Sequence, residues 1–261
     1  MFRVGLEEWL PVYRDIAEKL RIDTGRDRYA TRLLSELLAG KSAKVEEFEA
    51  KLLGKPVVVF GAGPSLEKYL REEALDFLRS KCIFIAADGA TTALMERGFN
   101  PDVICTDLDG RVEDQLEANR RGAWLVVHAH GDNINALLNY VPLFHAPVLG
   151  STQVEPALRV YNFGGFTDGD RCAFLAEWCG ASLIAMIGMD LGRKVGKYSK
   201  PWLQASAEAS QSKALKLSIA GQLLEWLASK AEAPLVLVGG DRELRGISKV
   251  SLEELASIVE G

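Results

Sequence analysis

A chain of 261 residues with 48% apolar and 26% charged side chains fits one large α/β domain or a core plus a small appendage, and can bury most of its apolar surface without disulfides or a structural metal. Its net charge of −5 argues against a general nucleic-acid binder, which carries a basic stripe. The opening MFRVGLEEWLPVY has acids where a signal peptide needs an apolar core, and no apolar run approaches the ~20 residues of a membrane span. A cytoplasmic protein is expected, with no membrane partner.

Residues 1–53 show no strand pattern. Leu6, Trp9, Leu10, Tyr13 and Ile16 recur at three- and four-residue spacing, which predicts amphipathic helices, and 31–53 reads the same way. This stretch is expected to form an N-terminal helical segment that packs on the core or on a second subunit. A homodimer through these helices, or through a helix after Lys213, is one expectation.

From Pro56 the pattern changes. Short Val- and Ile-rich runs at 56–60, 82–87, 102–106, 123–130, 147–150, 182–188 and 234–239 alternate with helical stretches. Apolar runs without alternation suit parallel strands buried on both faces. The helical stretches include 65–78, 91–97, 113–121, 171–179 and 213–230, and a polar excursion at 189–212 interrupts them as a candidate flap. The prediction for 54–261 is a Rossmann-like, doubly wound α/β domain with a mostly parallel sheet. The four cysteines (Cys82, Cys105, Cys172, Cys179) form no CxxC pair or zinc spacing and are read as reduced thiols, mostly in the core.

In an open parallel sheet, ligands bind beyond the carboxyl ends of the strands. Five of the predicted strands end in polar or glycine signatures. The first runs into Gly61-Ala-Gly-Pro64-Ser65, where two glycines permit close backbone approach and amides at a helix start can face an anion. A phosphate cradle and a plain capped turn both remain open there, since neither a Walker loop nor a full GxGxxG is present. Asp88-Gly89 ends the second strand, as a metal ligand, a ribose contact or a helix cap.

The strongest signal is Thr106-Asp107-Leu108-Asp109-Gly110. In extended backbone both carboxylates share a face, and two carboxylates pressed together need a cation, for which Mg²⁺ with ATP phosphates is the expected partner. His128 and His130 share a face by the same alternation. They are read as hydrogen-bonding or proton-transfer residues in preference to zinc ligands. Asp132, Asn133, Asp168 and Asp190 are candidates for substrate recognition, with helix capping an equal alternative for Asp168 or Asp170. The cations of Gly192-Arg-Lys194-Val-Gly-Lys197-Tyr-Ser-Lys200 form either a solvated loop or a lid that brings charge to phosphates.

The ordered series GAGPSL, ADGA, PDVICTDLDG, VVHAHGDN and GMDLGRKVGKYSKP resembles the archaeal 6-hydroxymethyl-7,8-dihydropterin pyrophosphokinase family, over about residues 56–203. More distantly, DGA followed by PD and DLD is similar to thiamin pyrophosphokinase. The resemblance implies a Rossmann-like catalytic domain that uses Mg²⁺ and ATP, and a pterin diphosphate product on the folate or methanopterin route. It further implies that Asp107 and Asp109 bind metal and that Asp88 is the acid of the DGA motif. A flagellin-glycosylation group shares parts of this core, so a sugar-nucleotide transferase stands beside thiamin pyrophosphokinase as an alternative.

Overall fold

The computed structural model describes residues 2–240 and 242–261. Three helices open the chain: α1 (Leu6–Leu20), α2 (Thr24–Leu37) and α3 (Val45–Leu52). Alternation follows through β1 (Pro56–Phe60), α4 (Leu66–Tyr69), α5 (Ala74–Lys81), β2 (Ile83–Ala87), α6 (Ala90–Glu96) and β3 (Val103–Thr106). It continues with α7 (Val112–Arg120), β4 (Trp124–Ala129), α8 (Ile134–Tyr140), β5 (Val148–Thr152), β6 (Val160–Tyr161), α9 (Asp168–Trp178) and β7 (Leu183–Ile187). The small strands β8 (Lys194–Val195) and β9 (Ala207–Glu208) come next, then α10 (Gln211–Ala228), β10 (Leu235–Val238), β11 (Ser248–Val250) and α11 (Leu252–Glu260).

Nine strands form one sheet in the order β11-β10-β7-β1-β2-β3-β4-β5-β6, and every pairing in it is parallel. The reason lies in the composition of the strands. Val57 and Val59 face one helical layer with α1, α3, α9 and α10, while Val58 and Phe60 face the other with α4, α5, α6 and α11. A strand apolar on both sides is stable only between two such layers. From β1 the chain winds outward to β6, then returns to place β7 on the other flank of β1. The topological switch point, where loops splay apart and ligands bind, thus lies at the carboxyl ends of β1 and β7.

The N-terminal helices divide between the two layers. Trp9, Tyr13 and Ile16 of α1, with Phe48 and Leu52 of α3, join the cluster on Val57, Val126 and Leu149. Ala30 and Leu34 of α2 pack on the opposite face against Leu125, Val127 and Val148. Burying each large side chain contributes about 1.5–3 kcal/mol. Residues between α1 and α2, with the first turn of α2, therefore cross the carboxyl ends of the sheet, where the backbone N–H of Gly131 donates to Asp27 of α2 at 2.7 Å.

Three details differ from the expected pattern. The stretch 65–78 is not one helix but α4 and α5, because i→i+3 turns at Arg71 and Glu72 bend the chain. That bend lets Leu66, Leu70, Leu75 and Leu78 all reach the same cluster. The edge strands β6 and β11 have only two and three residues, too few for a periodic signal. In the excursion after β7, β8 and β9 pair as an antiparallel hairpin. All four cysteines are free and buried.

Candidate active site

A cavity of about 660 Å³ opens at the carboxyl ends of β1, β2, β3, β4 and β7, and residues 20–27 and the start of α10 add to its wall. Its size suits a small-molecule site. Asp88, Asp107 and Asp109 converge in it, each offering a carboxylate oxygen within 4.8 Å of the others.

Each acid is held by its own local device. Asp88 has φ 41° just beyond β2, and its Oδ1 accepts from Thr106 Oγ1 at 2.6 Å and from Gln115 Nε2 at 2.8 Å. Asp107 and Asp109 share the cavity through a turn rather than through extended backbone. Leu108 between them has φ 67°, a left-handed conformation that costs a branched residue about 1–2 kcal/mol. Burial of the Leu108 side chain and donation of its N–H to Thr106 Oγ1 at 2.8 Å offset that cost. Asp109 N–H then donates to Asp107 Oδ1 at 3.2 Å, which tightens the turn.

The electrostatics of the triad call for a cation. Burial, then the charges of Asp107, Asp168 and Asp109, push Asp88 well above the usual carboxylate range. Burial pushes Asp107 upward too, but His130, by hydrogen bond and charge, together with Lys200 and Arg171, outweighs it and holds the carboxyl down to about 2. Lys200 from the excursion forms an ion pair with Asp109. Three clustered oxygen donors with a partial positive counterweight suit a hard divalent ion such as Mg²⁺, which takes carboxylates and phosphates as ligands.

The two histidines play different parts. His130 Nε2 lies 3.4 Å from Asp107 Oδ2, while its Nδ1 accepts from the backbone N–H of Asp132 at 3.2 Å. That places the ring proton on Nε2, facing Asp107. His128 is buried, with Nδ1 3.0 Å from Ser151 Oγ, and burial followed by the Arg171 charge keeps its imidazole neutral. Asn133 lies behind the cavity wall. Its Nδ2 donates to the carbonyls of Asp107 and His128, and its Oδ1 accepts from His130 N–H, so it joins the loops after β3 and β4. Asp132 is exposed on the rim.

Gly61 and Gly63 line the cavity, but the amides expected to face an anion are already engaged. Gly61 N–H donates to Ile187 O, Gly63 N–H to Gly188 O, and Ser65 N–H to Asp190 Oδ2 at 3.0 Å. Pro64 has no N–H, and neither it nor Ser65 lines the cavity. The glycines serve close loop approach instead, because a Cβ at Gly63 would collide with the Asp190 carboxylate and Gly188 O. Asp190 thus spends one oxygen on the β1 loop.

Gly89 takes the backbone of Tyr198 where a Cβ would block it, so the excursion lies directly over the site. Lys194 lines the cavity, whereas Lys197 turns outward to Glu67 at 2.7 Å. At the start of α9, Thr167 and Asp170 form the capping box, which leaves Asp168 free to line the cavity. Asp168 accepts from Arg171 at 3.1 Å; burial, then Asp107, pushes its carboxyl up to about 7.

Sequence reasoning did not single out Lys200, Arg171, Asp27, Tyr13 or Gln115. Lys200 lay inside the cation run, where nothing distinguished it from Lys197. Tyr13 donates to Asp27 at 2.5 Å from within helices whose spacing carries no sign of a site.

A family model described as "6-hydroxymethylpterin diphosphokinase MptE-like" matches residues 31–196. The 6-hydroxymethyl-7,8-dihydropterin pyrophosphokinase of Pyrococcus furiosus is 48% identical over 234 residues, covering 88% of this chain and 97% of its own. The enzyme of the same name from Methanothermobacter thermautotrophicus is 43% identical, over 85% of this chain and 94% of its own. That from Methanocaldococcus jannaschii is 39% identical, over 88% and 98%. Among solved structures, the MAf glycosyltransferase of Magnetospirillum magneticum shares the fold at TM-score 0.50 and 15% identity, covering 77% of this chain and 34% of that one. With a model match over more than half its length and three relatives aligned almost end to end, this chain belongs to the MptE-like 6-hydroxymethylpterin diphosphokinase family.

Proposed function

We propose that this chain transfers the β,γ-diphosphate of ATP to the hydroxymethyl oxygen of 6-hydroxymethyl-7,8-dihydropterin, releasing AMP, with Mg²⁺ as the metal. The observation that carries this reading is the Asp88–Asp107–Asp109 triad inside a cavity overlain by Lys200. Three carboxylates and one lysine form a surface for phosphate with a divalent ion.

Asp88, Asp107 and Asp109 would hold the ion. Bound there, Mg²⁺ supplies positive charge to the phosphate oxygens of ATP. His130 keeps Asp107 ionised and fixed in direction, and Asn133 locks the two loops that carry them. Lys200 can exchange Asp109 for a phosphate oxygen as the nucleotide arrives. The hydroxymethyl oxygen attacks the β-phosphorus in line; the bond from that phosphorus to the α,β-bridging oxygen breaks, and AMP departs with the oxygen. The alcohol proton leaves late, so positioning and charge neutralisation carry most of the rate. The four buried free thiols fit the reducing cytoplasm expected for such an enzyme.

The test is AMP release from Mg–ATP with the dihydropterin, run beside thiamin and a nucleotide sugar. Pterin-dependent AMP supports the reading, and thiamin-dependent AMP moves the substrate. Sugar transfer without AMP, or full activity in Asp107→Ala, sinks it.

A further inference from the structure

Among the described residues, two polar atoms buried in the cavity wall have no hydrogen-bond partner: Nε of Arg171 and Nε2 of His128. Both residues are nearly sealed, at 3% and 1% exposure, and both line the cavity. Buried polar atoms are nearly always paired, so two orphans on residues of one cavity wall mark the place where a ligand completes the set.

The surroundings define what that ligand carries. Arg171 is fixed by donation to Asp168 Oδ1 at 3.1 Å and to the carbonyl of Phe166 at 2.7 Å. Gln153 donates to the same carbonyl at 2.9 Å and anchors the loop before α9. Phe166 and Leu217 add apolar surface beside this polar edge. The charges of Asp107 and Asp109 are felt at Asp168, which sets the edge next to the triad.

Resting on the function proposed above, we propose that Asp168 and Arg171 read the pyrimidine edge of the pterin. Asp168 accepts from N3–H and the 2-amino group, and Arg171 Nε–H donates to the 4-oxo oxygen. A carboxylate beside a guanidinium matches two adjacent donors followed by an acceptor. Adenine lacks this order, since its 6-amino donor neighbours an acceptor nitrogen and no oxo group. On the pterin the hydroxymethyl arm leaves the opposite ring, so an edge bound at Asp168 leaves that arm in the open cavity beside the triad. His128 Nε2 then meets a ring nitrogen. Guanine carries the same edge, so the experiment must separate a pterin from GTP.

The experiment measures binding of 6-hydroxymethyl-7,8-dihydropterin to the full chain by its intrinsic fluorescence, with Mg²⁺ and α,β-methylene-ATP, which cannot release AMP. Asp168→Asn, an isosteric change at the cavity wall, should weaken pterin binding about 10- to 100-fold and leave the ATP analogue unaffected. The 2-oxo analogue, which lacks the amino donor, should bind the parent weakly and lose that disadvantage in Asp168→Asn. Pterin affinity unchanged in Asp168→Asn overturns the inference, as does loss confined to the ATP analogue or to GTP. If the parent binds no pterin, the proposed function itself falls and takes this inference with it; if only Asp168→Asn is without effect, the function stands and the assignment alone is lost.

Discussion

Lys200 forms an ion pair with Asp109, so a cation from the excursion between β7 and α10 already rests on the acidic triad. The two residues are far apart in sequence and meet because Gly89 admits the Tyr198 backbone beside Asp88. Lys200 therefore both competes with a metal at Asp109 and stands ready for phosphate. Lys200→Ala should lower kcat by about a hundredfold, the usual effect of losing one charge at a transferring group. The same variant should bind Mg²⁺ more tightly in the absence of ATP, because its competitor is gone. Lys200→Arg should recover part of the rate. Steady-state kinetics and metal titration check both arms, and an unchanged kcat would exclude phosphate contact.

The seating of the excursion depends on Gly196. Its φ of −76° suits any residue, but a Cβ there would lie 2.5 Å from Ala62 O and 2.6 Å from Gly63 O. These are backbone atoms of the β1 loop and have little room to give. Gly196→Ala should lift the excursion, raise KM for ATP several-fold and expose 197–206 to limited proteolysis, with the melting temperature of the core nearly unchanged. Wild-type kinetics together with wild-type protease resistance would show that the loop relaxes instead.

Much of this arrangement was legible in the residues, and the rest was hidden for physical reasons. The seven long strands were readable because Val- and Ile-rich runs buried on both faces have few alternative homes. The acids were readable as candidates because Asp88 and Asp107 directly follow such runs and Asp109 stands two residues on, although Asp88 was left open between a metal ligand, a ribose contact and a helix cap. Their geometry was not, since the sharing of a face comes from left-handed Leu108 and not from strand alternation. Lys194, Lys197 and Lys200 were indistinguishable because an irregular loop has no period to say which cation turns inward; Lys197 went to Glu67 and Lys200 to Asp109. Tyr13 and Asp27 were hidden for a different reason. Helical spacing places Tyr13 among the packing residues of the first helix and assigns a polar residue such as Asp27 to solvent, unless tertiary structure brings two helices across the sheet ends.

That hidden pair yields its own prediction. Asp27 is 1% exposed and accepts from Tyr13 at 2.5 Å and from the Gly131 N–H at 2.7 Å. Burial, then the charge of Asp27, pushes the Tyr13 phenol far up, so it remains a donor throughout the working pH range. Asp27→Ala strands both donors in the interior and should cost about 2–4 kcal/mol. It should also loosen Gly131 between His130 and Asp132 and so lower kcat. Asp27→Asn keeps one acceptor and should recover part of the stability. Chemical denaturation decides the matter; a loss below about 0.5 kcal/mol in the alanine variant would mean that water replaces the carboxylate.

Asp168 makes the stability of the metal-free chain depend on pH in the direction opposite to most carboxylates. Its folded-state carboxyl is pushed up to about 7, by burial and then by Asp107, against about 3.9 in an unfolded chain. Between those values the folded state holds a proton that the unfolded state has released, so stability falls as pH rises through that window and levels off above it. Asp107, held down to about 2, contributes stability already complete above about pH 4 and adds no slope there. Asp88, also pushed up, adds to this decline, while His128, held neutral in the fold, opposes it, so the part due to Asp168 is read as a difference: in EDTA, the melting temperature of Asp168→Asn relative to the parent should rise from pH 5 to pH 7.5. Mg²⁺ with ATP should oppose the decline more strongly at the higher pH, where the acids are ionised and repel. A difference that stays flat over this range would show that Asp168 is ionised throughout, with Arg171 outweighing its burial.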